Sequence, residues 1–131
     1  MVKTLGYEKK KQGSTEAGLS IIKGFWKSNG INSTSINMID GSGLSPGNRI
    51  TAEALVTVMQ YARSRPWFSS FYNALPEING IKMKSGSIGG VRSFTGYVGN
   101  YTFAIVINNY NGSPGEMVRK MYRLLDMLKG I

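Results

Sequence analysis

The sequence predicts an α+β fold in which helices flank an antiparallel sheet, and three observations support this. Three segments in the second half of the chain are rich in β-branched and aromatic residues, as strands are. Only short, glycine-containing turns separate them, so neighbouring strands run antiparallel. Segments with apolar residues at helical spacing precede and follow the strands, and such helices pack on the faces of a sheet. Because the chain has 131 residues, 41% of them hydrophobic, it can bury a core, and we predict a single domain over residues 1–131.

The helices are predicted from apolar residues at helical spacing behind a capping residue. They run from the Ser14 cap to Ser28, from the Thr51 cap to the turn at Pro66, from Trp67 to Leu75, and from the Ser113 cap to Leu128. Ahead of them, residues 1–13 predict a short helix end and a basic loop. The last helix has the strongest start, because proline follows Ser113 and glutamate stands three residues after it. Its apolar stripe predicts a core face rather than a ligand site: Met117, Met121, Leu124, Leu125 and Leu128.

Four strands are predicted from runs of β-branched residues that are bounded by turn residues. They are residues 35–39, 81–84, 91–98 and 101–108. Gly99-Asn100 predicts a two-residue hairpin turn, a class that requires a positive φ angle. Glycines, a proline and an aspartate make residues 40–48 a structured loop, and residues 76–80 predict a turn.

The composition excludes several kinds of chemistry. The chain has no cysteine and no histidine, which rules out a thiol nucleophile, a disulfide framework, a Ser-His-Asp triad and a zinc site of the usual kind. We expect no metal site. No apolar run is long enough to span a membrane, and the first residues lack the apolar stretch of a signal peptide.

The net charge is +9, from 16 Lys and Arg against 7 Asp and Glu. A field of this sign attracts polyanions such as nucleic acid, anionic lipid or anionic cell-wall polymers. A solvated basic surface is the simpler interpretation, because the basic residues are spread along the chain. No RNA- or DNA-binding motif is present, and we expect no nucleic-acid partner.

Lys84-Ser85-Gly86 opens the run KSGSIGGVRSFTGYVGNYTFAIVI. A cation, a short hydroxyl donor and a glycine on one strand suit a carboxylate that lies beside a reactive carbonyl. Lysine supplies the charge and serine a hydrogen bond, and glycine lets a ligand backbone lie close because it has no Cβ. The structural alternative is an exposed strand start with ordinary turn glycines.

A second motif, DGSGLS, occupies residues 40–45 and is followed by Asn48-Arg-Ile-Thr51. Asp40 and Ser42 fit an Asx-type turn that braces the loop, because an Asp side chain accepts a hydrogen bond from the backbone two residues on. We therefore favour a structural role for this pair over a catalytic one.

In order and spacing the two motifs resemble those of the penicillin-binding D-alanyl-D-alanine carboxypeptidases and endopeptidases, serine-type enzymes with a β-lactamase/transpeptidase-like fold. The resemblance runs from about Gly13 to the C-terminus, and Ser85 stands where these enzymes usually have threonine. It implies hydrolysis of the terminal D-Ala-D-Ala bond of peptidoglycan stem peptides through an acyl-enzyme, and acylation by β-lactams in the complete enzyme. It implies no metal or organic cofactor, and a periplasmic or otherwise extracytoplasmic parent protein.

The same resemblance implies a role for each residue of the K-S-G strand. Lys84 would be the catalytic residue of this chain, recognising the substrate carboxylate and joining the proton network of the nucleophile. Ser85 would donate a hydrogen bond to that carboxylate, and Gly86 would permit its close approach. The Ser87 N–H would supply half of an oxyanion hole. The substrate would add as a strand beside residues 82–88.

The two other motifs of these enzymes, the nucleophile's S-x-x-K and S-x-N, are not assigned in this chain. Ser20-Ile-Ile-Lys23 and Ser35-Ile-Asn37 match by pattern. In the family, however, a subdomain separates these motifs, and here only a short segment does. We therefore expect the chain to be the C-terminal portion of a transpeptidase-like domain, without its nucleophile and inactive alone.

Two alternative functions stay open at this point. One is a non-catalytic basic module that binds an anionic cell-wall polymer or nucleic acid. The other is a β-lactamase or esterase on the same fold, which differs in its deacylation rate. An S-x-x-K motif upstream in the parent protein would favour the enzyme, and its absence the binding module.

Residues 102–108 are expected to form an edge of the sheet, because in the family N-terminal strands pair beside the corresponding strand. The segment has no Pro, Lys or Arg to discourage pairing. We therefore expect the chain to self-associate through residues 102–108. The Lys84 strand, at the other edge, would stay open for ligand.

Overall fold

The structure, a computed structural model, describes residues 1–130. Its contacts divide the chain into two compact units, Met1–Thr57 and the residues from Val58 onward. The helices are α1 (Val2–Lys10), α2 (Thr15–Ser28), α3 (Ala52–Arg63), α4 (Phe68–Ala74) and α5 (Pro114–Lys129). The strands are β1 (Ile36–Asn37), β2 (Arg49–Ile50), β3 (Glu77–Ile78), β4 (Ile81–Ile88), β5 (Val91–Val98) and β6 (Tyr101–Asn108). Helices combined with antiparallel sheets confirm the α+β class; one domain over 1–131 stays a prediction.

In the first unit, α1 and α2 approach closely because glycines stand where they meet. A Cβ on Gly6 would lie 2.9 Å from the Gly18 nitrogen, and a Cβ on Gly18 would overlap the Val2 carbonyl. Helix α2 begins where the sequence predicts, because the Ser14 Oγ accepts a hydrogen bond of 3.0 Å from the Ala17 N–H.

A short two-stranded sheet closes the loop of the first unit. Antiparallel β1 and β2 pair Ile36 with Ile50 and Asn37 with Arg49. The DGSGLS residues lie on the loop between these strands, so the sheet holds the two ends of that loop together. Thr51 then caps α3 as predicted, since its Oγ1 accepts from the Ala54 N–H at 3.1 Å.

The second unit is built on a four-stranded antiparallel sheet in the order β3-β4-β5-β6. Two-residue turns connect its strands. Asn79 and Gly80 both have positive φ angles, 52° and 68°, as the turn between β3 and β4 requires. The predicted Gly99-Asn100 turn joins β5 to β6, with Gly99 at φ 54°.

Both faces of this sheet carry apolar clusters. On one face, α5 packs on the strands, and Met83, Met121 and Leu125 are fully buried between them. On the other, Tyr97 packs with Met59 and Leu75. The alternation of side chains along each strand produces these two apolar faces.

The structure corrects the sequence predictions for three short elements. Strand β4 continues to Ile88 instead of ending at Lys84, because its pairing with β5 runs unbroken to the turn. Residues 77–78, predicted as part of a turn, form β3, and residues 49–50 form β2. Each of these two strands has only two residues, which is too short for a recognisable alternation.

Two helical predictions also need correction. Helix α1 is complete from Val2 to Lys10, where only a helix end was expected, and Lys11 closes it in the left-handed conformation at φ 57°. Leu124, which its spacing places in the predicted core stripe, is 51% exposed. It lies on the flank of α5, outside the buried face that carries Met121 and Leu125.

Candidate functional site

The outer edge of β4 is open over the K-S-G residues. Strand β3 pairs only with Ile81 and Lys82, and the Met83 N–H donates to the Pro76 carbonyl at 3.0 Å. In an antiparallel strand the backbone groups of alternate residues point to the same side. The N–H and C=O groups of Ser85 and Ser87 therefore point the same way as those of Met83, away from β5. Within residues 1–130, no strand pairs with them there.

Lys84 places a positive charge at this open edge. Its side chain is exposed, and its Nζ donates to the Ser85 carbonyl at 2.7 Å. Side chains alternate along β4, so Lys84 and Gly86 share the sheet face of Tyr97, whereas Ser85 and Ser87 share the face of Met83. The ammonium and the outward backbone of the strand are thus available to one ligand.

Gly86 lies directly opposite Ser93 of β5. A Cβ on Gly86 would overlap the Ser93 Oγ, whereas the Ser93 Cβ would be 3.8 Å away. Glycine therefore suits this position for a local reason, since the serine hydroxyl occupies the space that a larger side chain would need. Because glycine has no Cβ, it also allows a ligand to approach the strand backbone closely.

The four residues together supply a cation and hydrogen-bond donors, the groups that suit a carboxylate or a developing oxyanion. Lys84 supplies a cation, the exposed hydroxyls of Ser85 and Ser87 are short donors, and the outward Ser87 N–H is a fixed donor. Donors that a strand holds in place need no reorganisation when charge develops on a ligand. The residues predicted for substrate binding and catalysis, which are consecutive in the sequence, thus lie along a single strand, whereas Asp40 and Ser42 lie on the loop between β1 and β2.

The DGSGLS loop is organised around Asp40. Its Oδ1 accepts from the Asn48 Nδ2 at 2.9 Å, from the Ser42 Oγ at 3.0 Å and from the Ser42 N–H at 3.1 Å. The bond from Ser42 N–H to Asp40 is the Asx-type turn that the sequence suggests. These bonds, that from Asn48 first, lower the pKa of Asp40 against the opposing effect of burial.

Asn48 also organises this loop, a part that its sequence context alone does not predict. Its Oδ1 accepts from the Ile39 N–H at 2.8 Å and from the Asp40 N–H at 3.3 Å, while its amide group donates to the Asp40 carboxylate. Asn48 therefore bridges the two ends of the loop. An asparagine just after a Ser-Pro-Gly turn was the available signal, because its amide can both donate and accept.

The two unassigned motif matches lie elsewhere in the first unit. Ser20 and Lys23 are exposed on α2, and the Ser20 Oγ accepts from the Lys10 Nζ at 2.9 Å. Both residues line an open pocket of about 560 Å³. Asn37 lies on β1 and donates to the Gly47 carbonyl at 3.1 Å, so it too belongs to the closure of the loop.

Comparison with known proteins assigns the chain to a family. The sequence profile of the D-Ala-D-Ala carboxypeptidase 3 (S13) family matches residues 1–81. The chain belongs to this family. The matched region includes the DGSGLS loop and ends before Lys84, so the K-S-G residues lie outside it. The family prediction made from the two motifs is confirmed.

A curated relative agrees with the family assignment. The D-alanyl-D-alanine carboxypeptidase of Actinomadura sp. (strain R39) is 29% identical to the chain over 137 aligned residues. The alignment covers 86% of the chain and 26% of that enzyme. The chain therefore spans about a quarter of the length of this relative.

Neither a metal-binding cluster nor a membrane-spanning helix occurs among the described residues. Residues 1–130 contain no group of three or more acidic side chains placed to hold a metal ion. Among the helices of the same residues, none combines the length and the apolar character needed to cross a membrane.

Proposed function

We propose that this chain is the C-terminal part of a serine D-Ala-D-Ala carboxypeptidase that acts on peptidoglycan stem peptides. The observation that carries the proposal is the open outer edge of β4, where Lys84 lies beside outward backbone groups of Ser85 and Ser87. Membership of the D-Ala-D-Ala carboxypeptidase family supports the same substrate class. A parent protein of this kind works outside the cytoplasm, in the periplasm or its equivalent.

The stem peptide adds as a further strand beside residues 82–88. Backbone hydrogen bonds of the open edge hold an extended peptide, as in other complexes formed by strand addition. Lys84 attracts the terminal carboxylate of D-Ala, and the Ser85 hydroxyl donates to it. Because Gly86 has no side chain, the peptide backbone can lie against the strand.

The acyl transfer uses the Ser87 N–H as one donor of an oxyanion hole. A serine hydroxyl from another part of the longer protein attacks the carbonyl of the penultimate D-Ala, and the oxygen of that carbonyl becomes negative. The terminal D-Ala leaves with a proton on its nitrogen, and water then hydrolyses the ester. The second oxyanion donor and the nucleophile both lie outside this chain, so the chain alone binds but does not react. No cofactor enters this route.

Titration of the chain with a stem-peptide mimic tests the binding half of the proposal. In amide NMR spectra, an acylated tripeptide ending in D-Ala-D-Ala should shift the resonances of Ser85, Gly86 and Ser87 in a saturable way. The same peptide with a C-terminal amide should bind less, because it lacks the carboxylate. Lys84→Ala should weaken binding, and Lys120→Ala, which removes an exposed lysine of α5, should not. Equal shifts with acid and amide would contradict the proposal.

Mass spectrometry after incubation with penicillin tests the other half. Lys84, Ser85 and Gly86 can hold a carboxylate but include no activated nucleophile, so we expect no covalent adduct on the chain. A stoichiometric adduct on Ser20 would overturn the assignment of the motifs, since that assignment places the nucleophile outside this chain.

The net charge of +9 favours one alternative, a non-catalytic module for an anionic cell-wall polymer. Such a module would bind an anionic polymer in a salt-dependent way and would not distinguish the acid from the amide of the tripeptide. Binding of the polymer that Lys84→Ala leaves unchanged, with no binding of the tripeptide, would favour this module over the enzyme.

A further inference from the structure

A half-buried arginine, Arg92, lies on β5 beside the K-S-G part of β4. It is directly opposite Ser87, so the two side chains are on the same face of the sheet. Serine is short and exposed at this position, whereas the arginine side chain is long. The guanidinium can therefore extend across Ser87 towards the outer edge of β4, where a ligand strand would lie.

The position of the guanidinium agrees with this direction. The Arg92 Nη1 lies 3.4 Å from the carbonyl oxygen of Val91. Val91 and Ile88 flank the two-residue turn Gly89-Gly90, so each directs its N–H and C=O groups to the other. The Val91 carbonyl therefore points to β4. It follows that the guanidinium lies over the space between β4 and β5, on the side away from β6.

No carboxylate in the described part of the chain pairs with this arginine. Within residues 1–130, the one ion pair is that of Lys129 with Asp126, at 2.8 Å. The contact of Arg92 with Val91 is long and uses one of the five N–H groups of the guanidinium. The remaining donors form a planar fork that matches a carboxylate. Arg92 thus offers an unpaired charge next to the strand edge.

We propose that Arg92 selects stem peptides that carry a carboxylate on the second residue before the D-Ala-D-Ala unit. This inference rests on the proposed function, in which the terminal carboxylate lies at Lys84 and Ser85 and the reactive carbonyl lies at the Ser87 N–H. A peptide bound in this order runs antiparallel to β4. Its amino-terminal side therefore continues past Ser87 towards the Gly89-Gly90 turn.

The alternation of side chains decides which residue of the peptide meets Arg92. The penultimate D-Ala lies opposite Ser87, and the residue before it lies opposite Ile88. An L-residue opposite Ile88 places its side chain on the face of Lys84, away from Arg92. An L-residue one position further, opposite Gly89, returns to the face that Arg92 and Ser87 share. A carboxylate at that second residue can therefore reach the guanidinium.

Three acetylated tetrapeptides that end in D-Ala-D-Ala test the inference by NMR titration of the chain. The first begins L-Glu-L-Ala, and the second begins L-Gln-L-Ala and lacks the extra charge. We expect the first to bind about three- to tenfold more tightly than the second, between the effects of an exposed and of a partly buried ion pair. The net charge of +9 attracts any acidic peptide. The third peptide therefore begins L-Ala-L-Glu, which places the same charge on the other face, and it should lose this advantage.

Variants of Arg92 assign the preference to the guanidinium. Arg92→Gln should abolish the preference for the first peptide and leave binding of the L-Gln peptide unchanged, which a merely structural role would not do. Arg92→Lys should keep part of the preference, because it retains the charge but not the planar fork. Arg123→Gln, which removes an exposed arginine of α5, should keep all of it.

The possible failures separate this inference from the proposed function. Equal binding of the first two peptides, or a preference that survives in Arg92→Gln, would overturn the role of Arg92 and leave the proposed function standing. If none of the peptides binds, the proposed function fails and this inference fails with it. If Arg92→Gln does not fold, the unchanged chain decides: a preference for glutamate that is the same at either position would contradict the proposal.

Discussion

Gly86 and Ser93 face each other across the β4–β5 pair, and the serine hydroxyl occupies the space where a Cβ of residue 86 would lie. The contact involves the Oγ alone, because the Ser93 Cβ would be at the ordinary distance of 3.8 Å. The glycine of the K-S-G strand thus leaves room for the hydroxyl of its neighbour on β5, independently of any ligand.

Gly86→Ala should destabilise the chain by no more than about 1 kcal/mol, the cost of turning the Ser93 hydroxyl out of the overlap. Ser93→Ala should recover most of this loss, because it removes only the overlapping oxygen. Urea unfolding of the four proteins of the double-mutant cycle measures the coupling. Gly89→Ala is the matched control, since a Cβ there meets nothing within 4 Å. Additive effects of the two substitutions would show that Gly86 and Ser93 do not compete for space.

Lys84→Ala should slow penicillin acylation of a longer protein that carries this chain and the nucleophile, on the order of 10²-fold. The reason is the loss of the cation that attracts the carboxylate. Lys84→Arg should react faster than Lys84→Ala but more slowly than the unchanged protein, since a planar fork does not replace a point charge. Lys120→Ala is the control. Stopped-flow acylation rates within about twofold of the unchanged protein would remove Lys84 from the site.

The sequence predicts best those features that depend on neighbouring residues. Three helix N-termini, those capped by Ser14, Thr51 and Ser113, are predictable from local sequence. In each, the side-chain hydroxyl oxygen accepts a hydrogen bond from the backbone N–H three residues later, and all three bonds are present. Strands β5 and β6 have the predicted bounds, because each is a long run rich in β-branched and aromatic residues and a two-residue turn joins them.

The features that the sequence does not predict depend on partners distant in the chain. Strand β3 exists because Glu77 and Ile78 pair with β4, and two residues carry no pattern of their own. Asn48 bridges the loop through bonds to Ile39 and Asp40, which only the closed loop brings within reach. Likewise, the K-S-G motif predicts the residue types of the site, whereas the unpaired outer side of β4 is a property of the folded sheet.

Leu125 and Leu124 are neighbours in α5 with opposite environments, 0% and 51% exposed. Leu125→Ala should cost about 2–5 kcal/mol, because it opens a cavity against Met83 and Met121. Leu124→Ala should cost less than about 1 kcal/mol, since that side chain is already half in water. Thermal or urea unfolding of both variants measures the difference. Equal losses would place Leu124 in the core, as its spacing in the sequence suggests.

Tyr97 donates its hydroxyl to the Met59 carbonyl at 2.7 Å in the buried cluster of the second unit. Tyr97→Phe should destabilise the chain by about 0.5–1.5 kcal/mol through loss of this bond. Tyr101→Phe, at a residue that is 53% exposed, should have no comparable effect. Burial raises the pKa of Tyr97 above its ordinary value of 10.0, with Arg63 opposing. The associated stability is complete below pH 10 and is lost as the pH rises through the folded pKa.

Asp40 should titrate below its ordinary pKa of 3.8, because bonds from Asn48 and then Ser42 favour the carboxylate against the effect of burial. A carboxyl pKa lowered in the folded state contributes stability above pH 3.8, which is lost as the pH falls through the folded pKa. NMR titration of the Asp40 carboxyl carbon measures the value directly. Asn48→Ala should raise the pKa of Asp40 and speed amide exchange at Ile39, whose N–H the Asn48 side chain accepts. Asn73→Ala, an exposed asparagine of α4, should change neither. If the Asp40 pKa stays the same in Asn48→Ala, the amide of Asn48 does not hold the loop together, and the Asx-type turn with Ser42 must do so alone.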